Sequence, residues 1–194
     1  MRIPFYTPLA IASLSLLLSA CSESFTDPRD GQSYDIVKIG NITWMAENLN
    51  YATEASACPD GDSRNCKRLG RLYTWADAKT VCPEGWRLFT WDDYEIVSEY
   101  EDKFDDGVKG LRSTYGFRGT NQSGFSLTGA GIRKISGKFG NIEDAFFWYF
   151  PEEDEYDVSY YVHTGYISST GHFPTKDDGD VKIQGRSVRC VKLE

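Results

Sequence analysis

The sequence predicts an α+β fold: one domain with two short helices in its first half, a strand- and loop-rich second half, and disulfide staples. Three observations predict it. Two helix-start signals lie close together, at Thr74 and Thr90. From Gly107 onward, glycines cut the chain into short apolar runs, a strand-and-turn texture. Five cysteines follow a segment that reads as an export signal.

That segment is residues 1–20. Arg2 is followed by an uncharged stretch from Ile3 to Ala20, whose apolar part, Leu9 to Leu18, is short of the roughly 20 apolar residues a bilayer span needs. Leu18-Ser-Ala-Cys21 resembles the lipobox of bacterial lipoproteins, in which small residues admit the signal peptidase and the thiol takes a diacylglycerol. Cys21 is therefore the expected lipidation site, with palmitate-type chains as the anchor. Two or three acyl chains hold stably, at about 0.8 kcal/mol per buried methylene. Ser22 is not a retention-type aspartate, so the expected address is the cell envelope, at the outer membrane. Residues 21–29, polar and containing Pro28, read as a lipidated tether, and 30–194 as the domain.

Removing residues 1–20 from 194 leaves 174, enough for one domain with a real core. It also removes Arg2, taking the net charge from −8 to −9. An acidic domain is a poor partner for nucleic acid or anionic lipid. The expected membrane contact is the lipid alone.

Tyr34 to Ile39 and Ile42 to Met45 are apolar runs separated by Gly40-Asn41, a hairpin signal. Between Cys58 and Cys66, Pro-Asp-Gly-Asp-Ser-Arg-Asn is turn chemistry that brings the two thiols together. If Cys21 carries lipid, four cysteines remain, and outside the cytoplasm they are expected to pair. Cys58–Cys66 is favoured by its turn, and Cys82–Cys190 follows by elimination. Thr74-Trp-Ala-Asp77 has the pattern of a capping box, with Trp75, Ala78 and Cys82 on one helical face before Pro83 and Gly85. Thr90-Trp-Asp-Asp93 repeats it, followed by Tyr94, Val97 and Glu101 at helical spacing. Tyr156 to Tyr166 and Val181 to Leu193 read as late strands.

Several segments carry a family resemblance: Asp30-Gly-Gln-Ser-Tyr34, Val37-Lys-Ile-Gly40, Trp44-Met-Ala-Glu-Asn-Leu-Asn-Tyr51, Gly70-Arg-Leu-Tyr-Thr-Trp-Ala76, Val81-Cys-Pro-Glu-Gly-Trp86, Gly124-Phe-Ser126 and Ser187-Val-Arg-Cys-Val-Lys192. In order and spacing they resemble the Fibrobacter succinogenes major paralogous domain, a set of envelope and secreted modules. The chain departs from that pattern at Arg87–Thr90 and after Phe147-Trp148. Trp75-x-x-Ala78-x-x-x-Cys82 with Gly85-x-x-Leu88 also resembles the first-helix signature of C-type-lectin-like domains. That resemblance implies a bridge from Cys82 to the final strand and ligand-facing loops between about Tyr115 and Thr170.

For function, the sequence points to non-catalytic binding. Aromatic residues crowd the stretch from Trp148 to Tyr166, and flat rings suit sugar faces. Strand alternation separates Val158, Tyr160 and Val162 from Ser159, Tyr161 and His163. That makes Tyr161 and His163 the better surface candidates; with Tyr149 and Tyr156 near the acidic loop they are the ligand-binding candidates, while Trp75 and Trp86 read as structural. The expected partners are the membrane, through the lipid, and polysaccharide. The alternatives are a structural or assembly lipoprotein that binds other envelope proteins, and an oxidase of the formylglycine-generating type. The last needs reactive cysteines, and every thiol here has a structural assignment. No enzyme, cofactor or metal is expected. The two histidines stand nine residues apart with no C-x-x-C, and the acidic runs Glu152–Glu155, Asp177–Asp180 and Asp60–Asp62 lack calcium-ligand spacing.

Overall fold

The computed structural model describes residues 23–100, 103–104, 107–153, 159–165, 177–179 and 182–193. Its elements in chain order are β1 (Ser24–Thr26), β2 (Ser33–Ile39), β3 (Ile42–Met45), α1 (Ser63–Leu69), β4 (Leu72–Tyr73), α2 (Trp75–Ala78), β5 (Arg87–Leu88), α3 (Trp91–Tyr100), β6 (Ile132–Arg133), β7 (Phe139–Gly140), β8 (Ala145–Glu153), β9 (Ser159–Gly165), β10 (Asp177–Gly179), β11 (Arg186–Ser187) and β12 (Cys190–Leu193). They form an α+β arrangement of two five-stranded sheets and a small two-stranded one, with short helices between.

The first sheet runs β1-β2-β3-β12-β5. Its centre is the expected hairpin, with Ile39 opposite Ile42 and Val37 opposite Trp44. Gly40 takes φ 65° at the first turn position, where a type II′ turn places glycine. The last strand of the chain, β12, pairs antiparallel with β3, Val191 facing Trp44. The second sheet runs β10-β9-β8-β11-β4, with Ser187 of β11 parallel to Trp148 of β8. Both sheets give large rings to one core. Trp44 meets Phe125 edge-on at 5.3 Å, and Phe89 meets Trp148 at 5.2 Å and Phe150 at 5.4 Å. Such tilted aromatic pairs add about 0.5–1.5 kcal/mol beyond burial.

Both cap signals are realised. The Thr74 hydroxyl accepts from the Asp77 amide. At α3 the box is reciprocal: the Asp93 amide donates to Thr90 Oγ1, and the Thr90 amide donates to Asp93 Oδ2 at 2.7 Å. Arg87 adds a two-pronged grip on the same carboxylate, 2.5 and 3.1 Å. Burial pushes the Asp93 carboxyl up, but these donors outweigh it and hold its pKa below the ordinary value.

Three expectations are corrected. α2 ends at Ala78, short of Cys82, because the β-branched Thr80 and Val81 come just before Pro83 and favour leaving the helix. A third helix, α1, stands where only a turn was expected. Asp62 caps it by accepting from the Arg64 amide, and Gly70 closes it at φ 76°. Third, the tether does not reach residue 29. Ser24–Thr26 pairs with β2, and Asp27 is fully buried, gripped by Arg29 through Nε at 2.9 Å and Nη2 at 2.7 Å. Arg29 also donates to the Val81 carbonyl and lies 3.9 Å over the Tyr51 ring. The domain therefore begins at least as early as Ser24.

Candidate functional site

Both expected disulfides are formed, Cys58–Cys66 and Cys82–Cys190, with Cα separations of 4.8 and 5.8 Å. They serve different places. The first borders a polar cleft, and the second lies in the core.

The cleft forms where six stretches converge: the β1–β2 turn, the segment after β3, α1 with the disulfide loop, Gly70-Arg71 before β4, and the loops at Ser113–Tyr115 and Ser126–Thr128. It consists of two adjoining hollows of about 240 and 570 Å³ that share Gln32, Asn50, Cys66 and Lys67. A ladder of amides builds one wall. Asn50 Nδ2 donates to Gln32 Oε1 at 2.6 Å, Gln32 Nε2 donates to Asp30 Oδ2 at 2.5 Å, and the Asn50 amide donates to Tyr34 Oη at 3.1 Å. Burial pushes the Tyr34 phenol up to about 12, so it stays protonated. Glu47 stands beside this wall. Burial raises its carboxyl above the usual carboxylate range, while the Asp35 amide donates to it at 3.1 Å.

Asn48 makes the floor. Its Nδ2 donates to the Leu69 carbonyl and to Thr128 Oγ1, both at 2.9 Å. Behind it lies Arg189, fully buried, which donates to the carbonyls of Phe125 and Ser126 and reaches Asn48 Oδ1 at 3.4 Å. Burial pulls the Arg189 guanidinium down to about 9, so it remains charged at neutral pH. Gly70 sits against the same floor. A Cβ there would lie 2.6 Å from Asn48 Cβ and 2.7 Å from its carbonyl oxygen, so the close approach of α1 requires glycine.

Two polar atoms of the cleft residues are buried without a hydrogen-bond partner among the described residues: Asn50 Oδ1, an acceptor, and Arg71 Nε, a donor. Buried polar groups are paired in more than about nine cases in ten, so an orphan donor and acceptor lining one hollow leave hydrogen-bonding capacity there. At the mouth, Tyr115 is 53% exposed, with the Arg68 guanidinium 4.6 Å over its ring and paired to Glu143.

The sequence-derived candidates lie elsewhere. Tyr149 is fully buried, its hydroxyl donating to the Gln184 carbonyl at 2.9 Å and its ring under Arg186 at 4.9 Å. It is a core residue, and its choice as a ligand-binding ring beside the acidic loop is corrected: β8 is covered on both faces, so nearness to that loop does not bring the ring to the surface. Tyr161 and His163 stand in β9 opposite Tyr149 and Phe147; their side chains, and the whole of Tyr156 and Cys21, lie outside the described residues. Trp75 and Trp86 are buried as expected, and Trp75 Nε1 donates to the Phe150 carbonyl.

The family profile described as the Fibrobacter succinogenes major domain matches residues 37–192. The chain belongs to that family. No curated protein and no solved structure matches it. Within this family member the matched span holds Asn50 and Arg71, whereas Asp30 and Gln32 precede it. Sequence reasoning missed the cleft although its signal was present. Four segments carrying the family resemblance, Asp30–Tyr34, Trp44–Tyr51, Gly70–Ala76 and Gly124–Ser126, meet there. Among the described residues no cluster of three or more metal-ligating side chains occurs, and no helix is long and apolar enough to cross a membrane.

Proposed function

We propose that this family member is a lipid-anchored envelope protein whose domain binds carbohydrate without catalysis, in the cleft between Asn50 and Arg71. The observation that carries the binding reading is the pair of orphan atoms, one acceptor and one donor, in a hollow that adjoins the one lined by exposed Tyr115. A sugar hydroxyl both donates and accepts, so a row of hydroxyls matches that pattern, and an aromatic rim suits a sugar face. The two disulfides consume four of five cysteines, which leaves Cys21 for lipid. The bridge from the segment after α2 to the final strand also supports a C-type-lectin-like reading of the fold. The outer membrane is the proposed address, on the strength of Ser22.

The test is a glycan array probed with the detergent-solubilised lipoprotein. Saturable binding that falls at least about tenfold in both Asn50→Ala and Arg71→Ala is expected, each losing one hydrogen bond to a buried polar group, or about 1.4 kcal/mol. A blank array, or binding indifferent to both substitutions, overturns the assignment of this cleft.

A further inference from the structure

The distance between anchor and domain is fixed by covalent geometry. The Ile36 amide donates to the Glu23 carbonyl at 2.9 Å, and Ser24 pairs with Asp35, so the chain is tied into the sheet from Glu23 onward. Cys21 is two residues away. Two residues span at most about 7 Å, comparable to the thickness of one headgroup layer, about 5–7 Å. We propose that β1 is held against the lipid headgroups by a two-residue tether, so that the cleft opens beside the membrane; this rests on the lipidation of Cys21 proposed above.

Two features of the fold fit that placement. Among the described residues β1 is the outermost strand of its sheet, and an open edge with unpaired backbone groups is a liability that proteins cover or blunt. A polar headgroup layer hydrates such an edge and screens it from other chains. The cleft wall, moreover, starts at Asp30 and Gln32, directly after β1, where the Asp27 amide donates to the Gln32 carbonyl at 2.8 Å. Following β1 at about 3.4 Å per residue puts Gln32 within about 25 Å of the anchor, in a domain about 30–40 Å across. A glycan bound there lies no more than about 25 Å from the anchor. The charge of the domain gives no help in this docking, because a net −9 is repelled by anionic lipid. The short tether alone holds the edge down, and lengthening it releases the domain.

The experiment uses the full lipoprotein in vesicles of phosphatidylethanolamine and phosphatidylglycerol that carry a nitroxide on the headgroup, with a fluorophore introduced at exposed Ser24 as an unnatural amino acid. Strong quenching is expected in the native protein. It is expected to fall to the level of nitroxide-free vesicles when a Gly/Ser insert of about 20 residues, with an r.m.s. reach of about 25 Å, separates Ser22 from Glu23. An unchanged urea midpoint establishes that the insert leaves the fold intact. Weak quenching in the native protein overturns the inference, and so does equally strong quenching in both forms, which assigns the docking to the surface rather than the tether. Flotation of the native protein and of Cys21→Ala separates the two readings: if the native protein does not float with vesicles, the lipid anchor itself fails.

Discussion

The two disulfides are chemically alike and do different physical work. Cys82–Cys190 joins residues 108 apart, linking the segment after α2 to the central strand β12, and Cys190 is fully buried. Cys58–Cys66 closes a loop of separation 8 at the edge of the cleft. The long bridge constrains the unfolded chain and secures a dry aromatic core. The short one constrains little of the unfolded chain and shapes one wall of a site. The difference teaches that a staple's worth to stability and its worth to binding are separable in this fold.

That contrast is sharpened first by removing each bridge. In the chain-entropy argument, Cys82→Ala with Cys190→Ala costs about 4.7 kcal/mol, and Cys58→Ala with Cys66→Ala about 2.6 kcal/mol. Urea unfolding of the two double variants measures both. Equal losses break the comparison, because the loop lengths would then not set the effect.

Next in size are the buried ion pairs that tie the edges of the first sheet. Asp27 is fully buried, and although burial pushes its carboxyl up, the Arg29 hydrogen bonds hold it below its ordinary value. Asp93 is held down in the same way by Arg87 and Thr90. A carboxylate with a depressed folded pKa contributes stability that is present above its unfolded pKa of about 3.9 and is lost as pH falls through the folded value. Asp27→Asn and Asp93→Asn are each expected to cost about 2 kcal/mol at neutral pH, with the gap to the native protein closing below about pH 3.9. Urea midpoints across that range decide it. A gap that persists at low pH removes the ion pairs from the account. Gly70→Ala is of similar size, about 2 kcal/mol, because it adds strain at φ 76° to a collision with Asn48; a change below about 0.5 kcal/mol would mean that α1 can back away from the floor.

How far the sequence made these regions legible follows from the range of the signals. The hairpin around Gly40, the caps at Thr74 and Thr90 and both bridges are written in residues close together or in cysteine arithmetic, and each is where it was expected. α1 was hidden because its cap and first turn, Asp62-Ser-Arg-Asn, carry turn chemistry as strongly as capping chemistry. Tyr149 misled because its place just before the acidic run suggested an exposed ring, whereas β8 is covered on both faces, with Phe146 and Trp148 buried on one side, Ala145 and Tyr149 on the other. The segments that meet at the cleft were legible as family resemblance, but their meeting was not. Asn50 and Arg71 are 21 positions apart and meet only after β4 folds back beside the strand-end segment, where the Arg71 amide donates to the Leu49 carbonyl at 2.9 Å. No local pattern encodes an atom left without a partner.

The smallest expected effect on stability is the most telling for function. Asn50→Ala removes an orphan acceptor together with the Gln32 contact, and Arg71→Ala removes an orphan donor with only a 3.3 Å bond to Ser56. Deleting a buried group that has no partner relieves its desolvation cost, which offsets the lost contacts, so both variants are expected to stay within about 1 kcal/mol of the native protein. Thermal or urea unfolding reads that number, and the same preparations read binding. If the cleft were merely a packing defect, filling or emptying it would move stability and leave ligand affinity untouched. A loss of affinity at constant stability is the opposite signature, and it distinguishes a wall built to receive a guest from one left imperfect by the fold.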